Sequence, residues 1–199
     1  MFFTVAGFKG GIGKTTTAVH VAAFLQTIDP TLLIDGDENR SALAWASHEK
    51  LPFSTVSQLQ AAMSISKYKH VVIDTKARPS EEDLKELAGG TNLFILPCPP
   101  RALDISALSP TIKTLKKLKA NFKVLLTMVP PGGRKIVEDL KEALGDVPTF
   151  KSHIIRYAAF EKSPMTGVVV KDYRDINAKK AWACYEAIGQ EIVEEVING

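Results

Sequence analysis

The chain has little cysteine. Cys98 and Cys184 are the only two in 199 residues. They stand far apart and outside any CxxC spacing, so neither a disulfide framework nor a zinc or iron–sulfur cradle is expected, and the composition suits a reducing cytosol. Long apolar runs are also missing: no stretch approaches the roughly 18 residues that a membrane span needs. The opening "MFFTVAGF" is too short for a signal peptide. No repeat, low-complexity tract or linker divides the sequence, so a single domain over 1–199 is expected. Histidines at 20, 48, 70 and 153 have no partners at metal-ligand spacing. His20 reads as a helix-face residue, and the other three as surface or core.

Charge of one sign is missing only locally. Residues 1–100 hold 9 Lys/Arg against 10 Asp/Glu, and residues 181–199 hold 4 acids and no base. Residues 101–180 hold 16 Lys/Arg against 8 Asp/Glu. That excess of eight marks one part of the chain as a candidate polyanion surface, although solvated lysines alone would give the same count.

Short apolar runs alternate with helical patterns. "FFTVAG", "TLLID", "KHVVID", "NLFILP" and "FKVLLTMV" read as strands, and "SHIIRY" as a possible last one. Helices are expected in "KTTTAVHVAAFLQ", "PSEEDLKELAGG", "DISALSPTIKTLKKLK", "GRKIVEDLKEAL" and the long C-terminal "DINAKKAWACYEAIGQEIVEEVI". Ser80 has the chemistry of an N-cap, and Pro110 is expected to begin a new segment or kink its helix. Uniformly apolar strands alternating with helices imply a doubly wound α/β fold: a mainly parallel sheet flanked by helices.

The stretch "FKGGIGKTTT" carries the chemistry. The common phosphate-binding pattern is G-x-x-x-x-G-K-[ST]. Gly13, Lys14 and Thr15 match its end, but its first glycine falls on Phe8. K-G-G-x-G-K-T stands instead, with a second lysine, Lys9, inside the loop. Gly10, Gly11 and Gly13 let backbone N–H groups face phosphates, and the following helix adds its positive end. Lys14 can reach the β- and γ-phosphates and the Thr15 hydroxyl can ligate Mg²⁺. The whole loop from Lys9 to Thr16, Ile12 and Thr16 included, is the candidate nucleotide cradle.

With its extra lysine, this loop resembles the deviant Walker A motif of the ParA/MinD family of ATPases. The resemblance implies that Lys14 serves its own ATP while Lys9 crosses a dimer interface to the partner's. "LLIDGDENRSALAW" looks like the family's second acidic motif, with Glu38-Asn39 where Pro-Gln is usual. It implies that Asp37 positions the attacking water and Asp35 supports the metal shell. "YKHVVIDTKARPS" places Asp74 as the Walker B acid, holding Mg²⁺ through a water. Lys76 and Arg78 depart from the family's pattern there, either adding charge near the γ-phosphate or, as favoured here, facing solvent. "TMVPPGGRK" lies where the family packs adenine, which implies backbone contacts near Met128 and Pro130.

The resemblance further implies Mg²⁺-dependent ATP hydrolysis, an ATP-dependent homodimer, non-specific binding of double-stranded DNA, and a ParB-like or other adaptor that stimulates hydrolysis. It implies a cytoplasmic, nucleoid-associated protein that positions a plasmid, chromosome region or protein body. Lys151, Arg156, Lys171, Arg174, Lys179 and Lys180 form the expected DNA surface. Lys113, Lys116, Lys117 and Lys119 form a second cluster that a solvated helix face would equally explain. The loop begins within ten residues of Met1, so no N-terminal DNA-binding extension is expected. The acidic tail lacks the basic face of a membrane helix. A metabolic P-loop enzyme, such as a small-molecule kinase or a dethiobiotin-synthetase-like ligase, would share the fold and the loop. A catalytically dead scaffold would lack some of Lys14, Thr15, Asp37 and Asp74, and all four are present.

Overall fold

A computed structural model describes residues 1–198. Six strands form one sheet, all parallel: β1 (Phe2–Gly7), β2 (Thr31–Gly36), β3 (Ser54–Ser57), β4 (His70–Ala77), β5 (Leu93–Cys98) and β6 (Phe122–Leu126). Their order is β3-β2-β4-β1-β5-β6. From β1 the chain runs to β2 and β3 on one side, returns through β4 between β2 and β1, and crosses to β5 and β6 on the other. Ligands are therefore expected at the carboxyl edge beside β1, where the winding reverses. Register matters here. Asp35 of β2 pairs with Asp74 of β4, and Asp74 with Val5 of β1. Two acids from separate strands thus stand side by side at that edge.

Eight α-helices are described: α1 (Lys14–Leu25), α2 (Ser41–Ala46), α3 (Gln58–Ala61), α4 (Glu81–Ala88), α5 (Ala102–Lys117), α6 (Arg134–Leu144), α7 (Ala159–Thr166) and α8 (Ala178–Ile192). One core cluster joins α1 and α8 to the sheet through Phe3, Val19, Leu25, Leu33, Phe150, Tyr185 and Ile188. A second joins α4, α5 and α6 to β5 and β6 through Leu84, Phe94, Leu96, Leu108, Leu115, Val124, Leu126 and Leu140. Burial of both sheet faces is what lets the strands be apolar without alternation. Near β2 and β4 one face is covered thinly, by the small cluster Leu32, Ile34, Ala61 and Val71 under four-residue α3.

Ser80 caps α4 as expected, accepting from the Asp83 N–H at 3.1 Å while the Asp83 carboxylate accepts from the Ser80 N–H. The structure departs from the sequence reading in three places. Helix α5 runs unbroken through Pro110. The carbonyl that Pro110 leaves unpaired belongs to Ser106, and both residues are exposed, so water can take the lost bond. "SHIIRY" is not a strand: only an isolated bridge joins Ile155 to Val129, because the segment bonds the loop beyond β6 and then turns away. Strand β3 and helices α2 and α7 are additions that the short, mixed segments "STVS", "SALAWA" and "AFEKSPMT" did not announce.

Candidate nucleotide site

The glycine loop leaves β1 at the reversal point and enters α1. Gly11 and Gly13 hold φ of 71° and 90°, the left-handed region that glycine adopts freely. Gly13 is also the N-cap of α1, so the first N–H groups of the helix face the loop without side-chain caps. Gly7 has a role that the motif does not mention. A Cβ there would come within 2.6 Å of the Ile12 and Lys14 side chains, so only glycine lets the loop fold back over the strand end. Ile12 is fully buried, and its carbonyl accepts from the Thr127 hydroxyl at 3.0 Å. It anchors the loop and does not touch a phosphate by its side chain.

Behind the loop, buried Lys14 points its Nζ to within 3.9 Å of Asp37 Oδ2. Asp35 spends both oxygens on backbone donors, the Asp37 N–H at 3.1 Å and the Leu43 N–H at 2.8 Å. It therefore braces the loop that carries Asp37, and any support for a metal passes through that loop. Asp37 Oδ1 in turn accepts from the backbone and side-chain amides of Asn39, both at 2.9 Å. The departure from the family's motif thus supplies its own clamp on Asp37.

Asp74 is completely buried and neither of its oxygens has a hydrogen-bond partner. Burial pushes its pKa up to about 7, as do Asp35 and Asp37 more weakly, against the pull of the nearby Thr15 hydroxyl and Lys14 charge. An orphaned acid of this kind costs stability unless something cationic binds it. No cluster of three or more His, Cys, Asp or Glu side chains suited to a metal occurs among the described residues. The residues present therefore fit a cation that keeps most of its oxygen ligands from water and phosphate, as Mg²⁺ does, with Thr15 and Asp74 as the protein's share.

Lys9 does not reach the cradle in this structure. Its Nζ pairs with Asp104 at the start of α5, a carboxylate only 1% exposed. Arg101 lies 4.0 Å from the other oxygen of Asp104, which lacks a hydrogen bond. Lys76 and Arg78 are pinned away from the loop's interior: Lys76 pairs with Asp83 at 2.8 Å, and Arg78 Nε donates to the Phe8 carbonyl at 3.2 Å.

Two hollows meet at Gly13 and Thr16. One, of about 320 Å³, is lined by Gly10, Gly11, Lys14, Thr15, Asp37 and Asn39 and has the size and chemistry for phosphates. The other, of about 190 Å³, is walled by Met128, Ile155, Arg156, Tyr157, Phe160 and Tyr185, an apolar slot suited to a base. Met128 lines this slot, at φ 55°. Pro130 does not line the slot: it is exposed and its carbonyl closes a turn with the Gly133 N–H. The loop after β6 and helix α7 take that place.

Of the six expected DNA-binding residues, Lys151 stands apart from the others. Arg156 lines the slot beside Gly13 and pairs with Glu161 at 3.3 Å. Lys151 sits by Glu191, which accepts its backbone N–H, near the end of α8. That is eleven residues, roughly 16 Å of helix, beyond Lys180. Lys171, Arg174, Lys179 and Lys180 do fall together in sequence around the start of α8, with Lys171 Nζ 5.0 Å from the centre of the Trp182 ring. In the other cluster, Lys117 is paired with Glu81.

Sequence reasoning missed His20. It is fully buried one turn into α1, where Nδ1 contacts the Thr16 carbonyl at 2.7 Å and Nε2 accepts from the Val170 N–H at 3.0 Å. Trp45, Phe160, Trp182 and Tyr185 surround it. Its position between Ala18 and Ala22 in an apolar helix was the only available sign.

Residues 3–170 match the model of the CobQ/CobB/MinD/ParA nucleotide binding domain. The chain is 30% identical over 194 residues to a maintenance of carboxysome distribution protein A from Gloeobacter kilaueensis, covering 92% of this chain and 90% of that one. Among solved structures, the MinD cell division protein of Aquifex aeolicus superposes with a TM-score of 0.77 at 16% identity, over 98% of this chain and 97% of that one. An ATP complex of a Cyanothece McdA variant does so with a TM-score of 0.71 at 11% identity, over 97% and 95%. The loop with its two lysines and the acids on β2 and β4 are thus found in a chain that belongs to the CobQ/CobB/MinD/ParA nucleotide-binding domain family.

Proposed function

We propose that this protein is a ParA-type ATPase that hydrolyses ATP with Mg²⁺, dimerises while ATP is bound, and positions a cargo over non-specific DNA. One observation carries the reading. At a single sheet edge, buried Lys14 and half-buried Thr15 stand beside an unpartnered Asp74, while a second loop lysine waits outside on Asp104. Lys14 and the loop amides would hold the β- and γ-phosphates. Thr15 and Asp74 would hold Mg²⁺, which offsets charge on the phosphoryl oxygens. Asp37, clamped by Asn39, is placed to orient a water for in-line attack.

Lys9 supports the dimer. Its side chain is a third exposed, and a partner's phosphates would compete with Asp104 for it. Leu103 and Met165, 83% and 78% exposed, adjoin Asp104 and the site-lining Pro164 and would lose that exposure in a face-to-face pair. The DNA surface centres on Lys171, Arg174, Lys179 and Lys180; Arg156 is exposed at the rim of the base slot, and Lys151 lies by the far end of α8. The relative named for carboxysome distribution favours a protein body as cargo and a dedicated adaptor as partner. The test is ATP binding and turnover by two variants. Lys14→Ala should lose nucleotide binding, and Asp37→Ala should bind ATP but stall. Wild-type turnover by Asp37→Ala would refute its role. Transfer of phosphate to a small acceptor in place of release to water would make the metabolic-enzyme reading correct.

A further inference from the structure

The thin cover over β2 and β4 leaves a groove of about 280 Å³ between α3 and α4. Its apolar lining is Ile34, Ala61, Ile73 and Leu87, and its acidic wall is Asp83 and Glu86 of α4. Two large apolar side chains lie on the same short segment as Ala61: Leu59 is 91% exposed and Met63 75%. They are four residues apart, so they share a side, and Ala61 between them faces the sheet. Scattered exposed leucines need no explanation, but two large exposed apolar side chains on the short segment that walls an apolar hollow do.

The charges at the groove select the occupant. Asp83 is paired with Lys76, whereas Glu86 and Glu82 one turn before it have no cation within ion-pair distance among the described residues. Those carboxylates repel nucleic acid and an acidic surface alike. They favour a Lys or Arg that arrives beside an apolar anchor, the combination that interface cores and rims share.

The groove is linked to the nucleotide site through β2 and β4. Its lining residues Gly36 and Thr75 directly follow Asp35 and Asp74. Thr75 is tied to the Val5 carbonyl of β1, and Gly36 lies so close to β4 that a Cβ would stand 3.0 Å from the Asp74 carbonyl. Lys76, held by Asp83, is also drawn more weakly by the charge of Glu38, the neighbour of Asp37 in sequence. A cation that competed for Asp83 would release Lys76 next to the acids that hold the water and the metal.

We infer that the α3–α4 groove is the docking site for a short segment of a partner protein that places an apolar side chain beside a Lys or Arg. Its occupancy reaches the catalytic acids through Gly36, Thr75 and Lys76. The docking itself does not depend on the ATPase reading; only the effect on turnover rests on it.

The probe is a random peptide library selected on the wild-type protein and counter-selected on the double variant Leu59→Glu/Glu86→Lys. Selected peptides should join an aliphatic or aromatic residue to Lys or Arg. They should bind the double variant at least about tenfold more weakly and Lys14→Ala as tightly as wild type. Acidic peptides, equal binding to the double variant, or no enrichment at all would each overturn the inference. So would a nucleotide-free dimer of the wild type that the double variant abolishes, because a second copy would then own the face. Both variants should melt within a few degrees of wild type. A selected peptide should change wild-type ATP turnover severalfold; docking without that change would refute the coupling. Absence of any ATP turnover would instead refute the ATPase reading and leave the docking standing.

Discussion

At the scale of single residues, His20 makes the sharpest prediction. Burial lowers its pKa to about 4 from an ordinary 6.5, against a smaller upward pull from the Thr16 carbonyl. The folded protein keeps it neutral because Nε2 must accept from Val170. Below pH 6.5 the unfolded chain takes up a proton at His20 that the folded chain refuses, so the contribution of His20 to stability falls as pH drops from 6.5 towards 4 and is level above that window. The loss should reach as much as about 3 kcal/mol. Urea unfolding of wild type and His20→Phe at pH 7.5 and pH 5 checks it. His20→Phe should cost about 1–3 kcal/mol at pH 7.5, since Val170 loses its acceptor, and should lose less stability than wild type on going to pH 5. There Asp74 acts in the opposite sense, because its raised pKa favours the folded state as pH falls. A second residue-scale expectation concerns Asp104. Its charge is buried and Lys9 is its main partner, so Asp104→Asn should free Lys9 and raise the fraction of dimer at subsaturating ATP severalfold by sedimentation. An unchanged fraction would mean that the pair does not restrain Lys9.

At the scale of elements, α8 does two separate jobs. Its middle packs closely on α1: a Cβ on Gly189 would lie 2.2 Å from the Phe24 ring. Helix propensity favours Gly189→Ala by up to about 1 kcal/mol, but overpacking costs about 1–3 kcal/mol. Net destabilisation is therefore expected in urea unfolding, and a stabilised Gly189→Ala would show that α1 and α8 yield easily. The start of α8 carries the candidate DNA contacts. Replacing Lys171, Arg174, Lys179 and Lys180 by Glu should abolish duplex binding with ATP while ATP-driven dimerisation persists. Wild-type binding should fall steeply as salt rises, because counterions are released from the phosphates. If Arg156→Ala weakened ATP binding more than DNA binding, its place in the base slot would be supported over its place on the DNA surface.

At the scale of the whole molecule, the question is what one copy lacks. Each copy holds a complete phosphate cradle, and Lys9 is left outside it. Light scattering should therefore show a monomer with ADP and a dimer with ATP. Lys9→Ala should keep ADP affinity within about twofold of wild type and weaken the ATP-bound dimer by about tenfold or more. A dimer of Lys9→Ala as tight as wild type would remove the assigned role of the second lysine. DNA affinity should follow dimerisation, because pairing doubles the number of phosphates neutralised.

Much of this protein is legible along the chain because the relevant physics is local. Glycines that bend a loop, a strand that feeds it and a helix that receives its phosphates are neighbours in sequence, so "KGGIGKT" announces cradle, cation and metal hydroxyl together. Apolar runs such as "NLFILP" announce buried parallel strands for the same reason. Pro110 misleads because a broken helix bond costs little where water replaces it, and exposure is a tertiary property. Long-range partners are invisible in the same way. Asp104 meets Lys9 across 95 residues of sequence, and His20 meets Val170 across 150. The basic residues between 151 and 180 form one group along the chain, yet folding sets Arg156 at the exposed rim of the base slot and Lys151 by the far end of α8. Which charges share a surface, and which are spent inside the molecule, depends on where the sheet and helices bring the chain back upon itself. Composition and spacing do not contain that information, and the packing of α7 and α8 against the nucleotide edge supplies it.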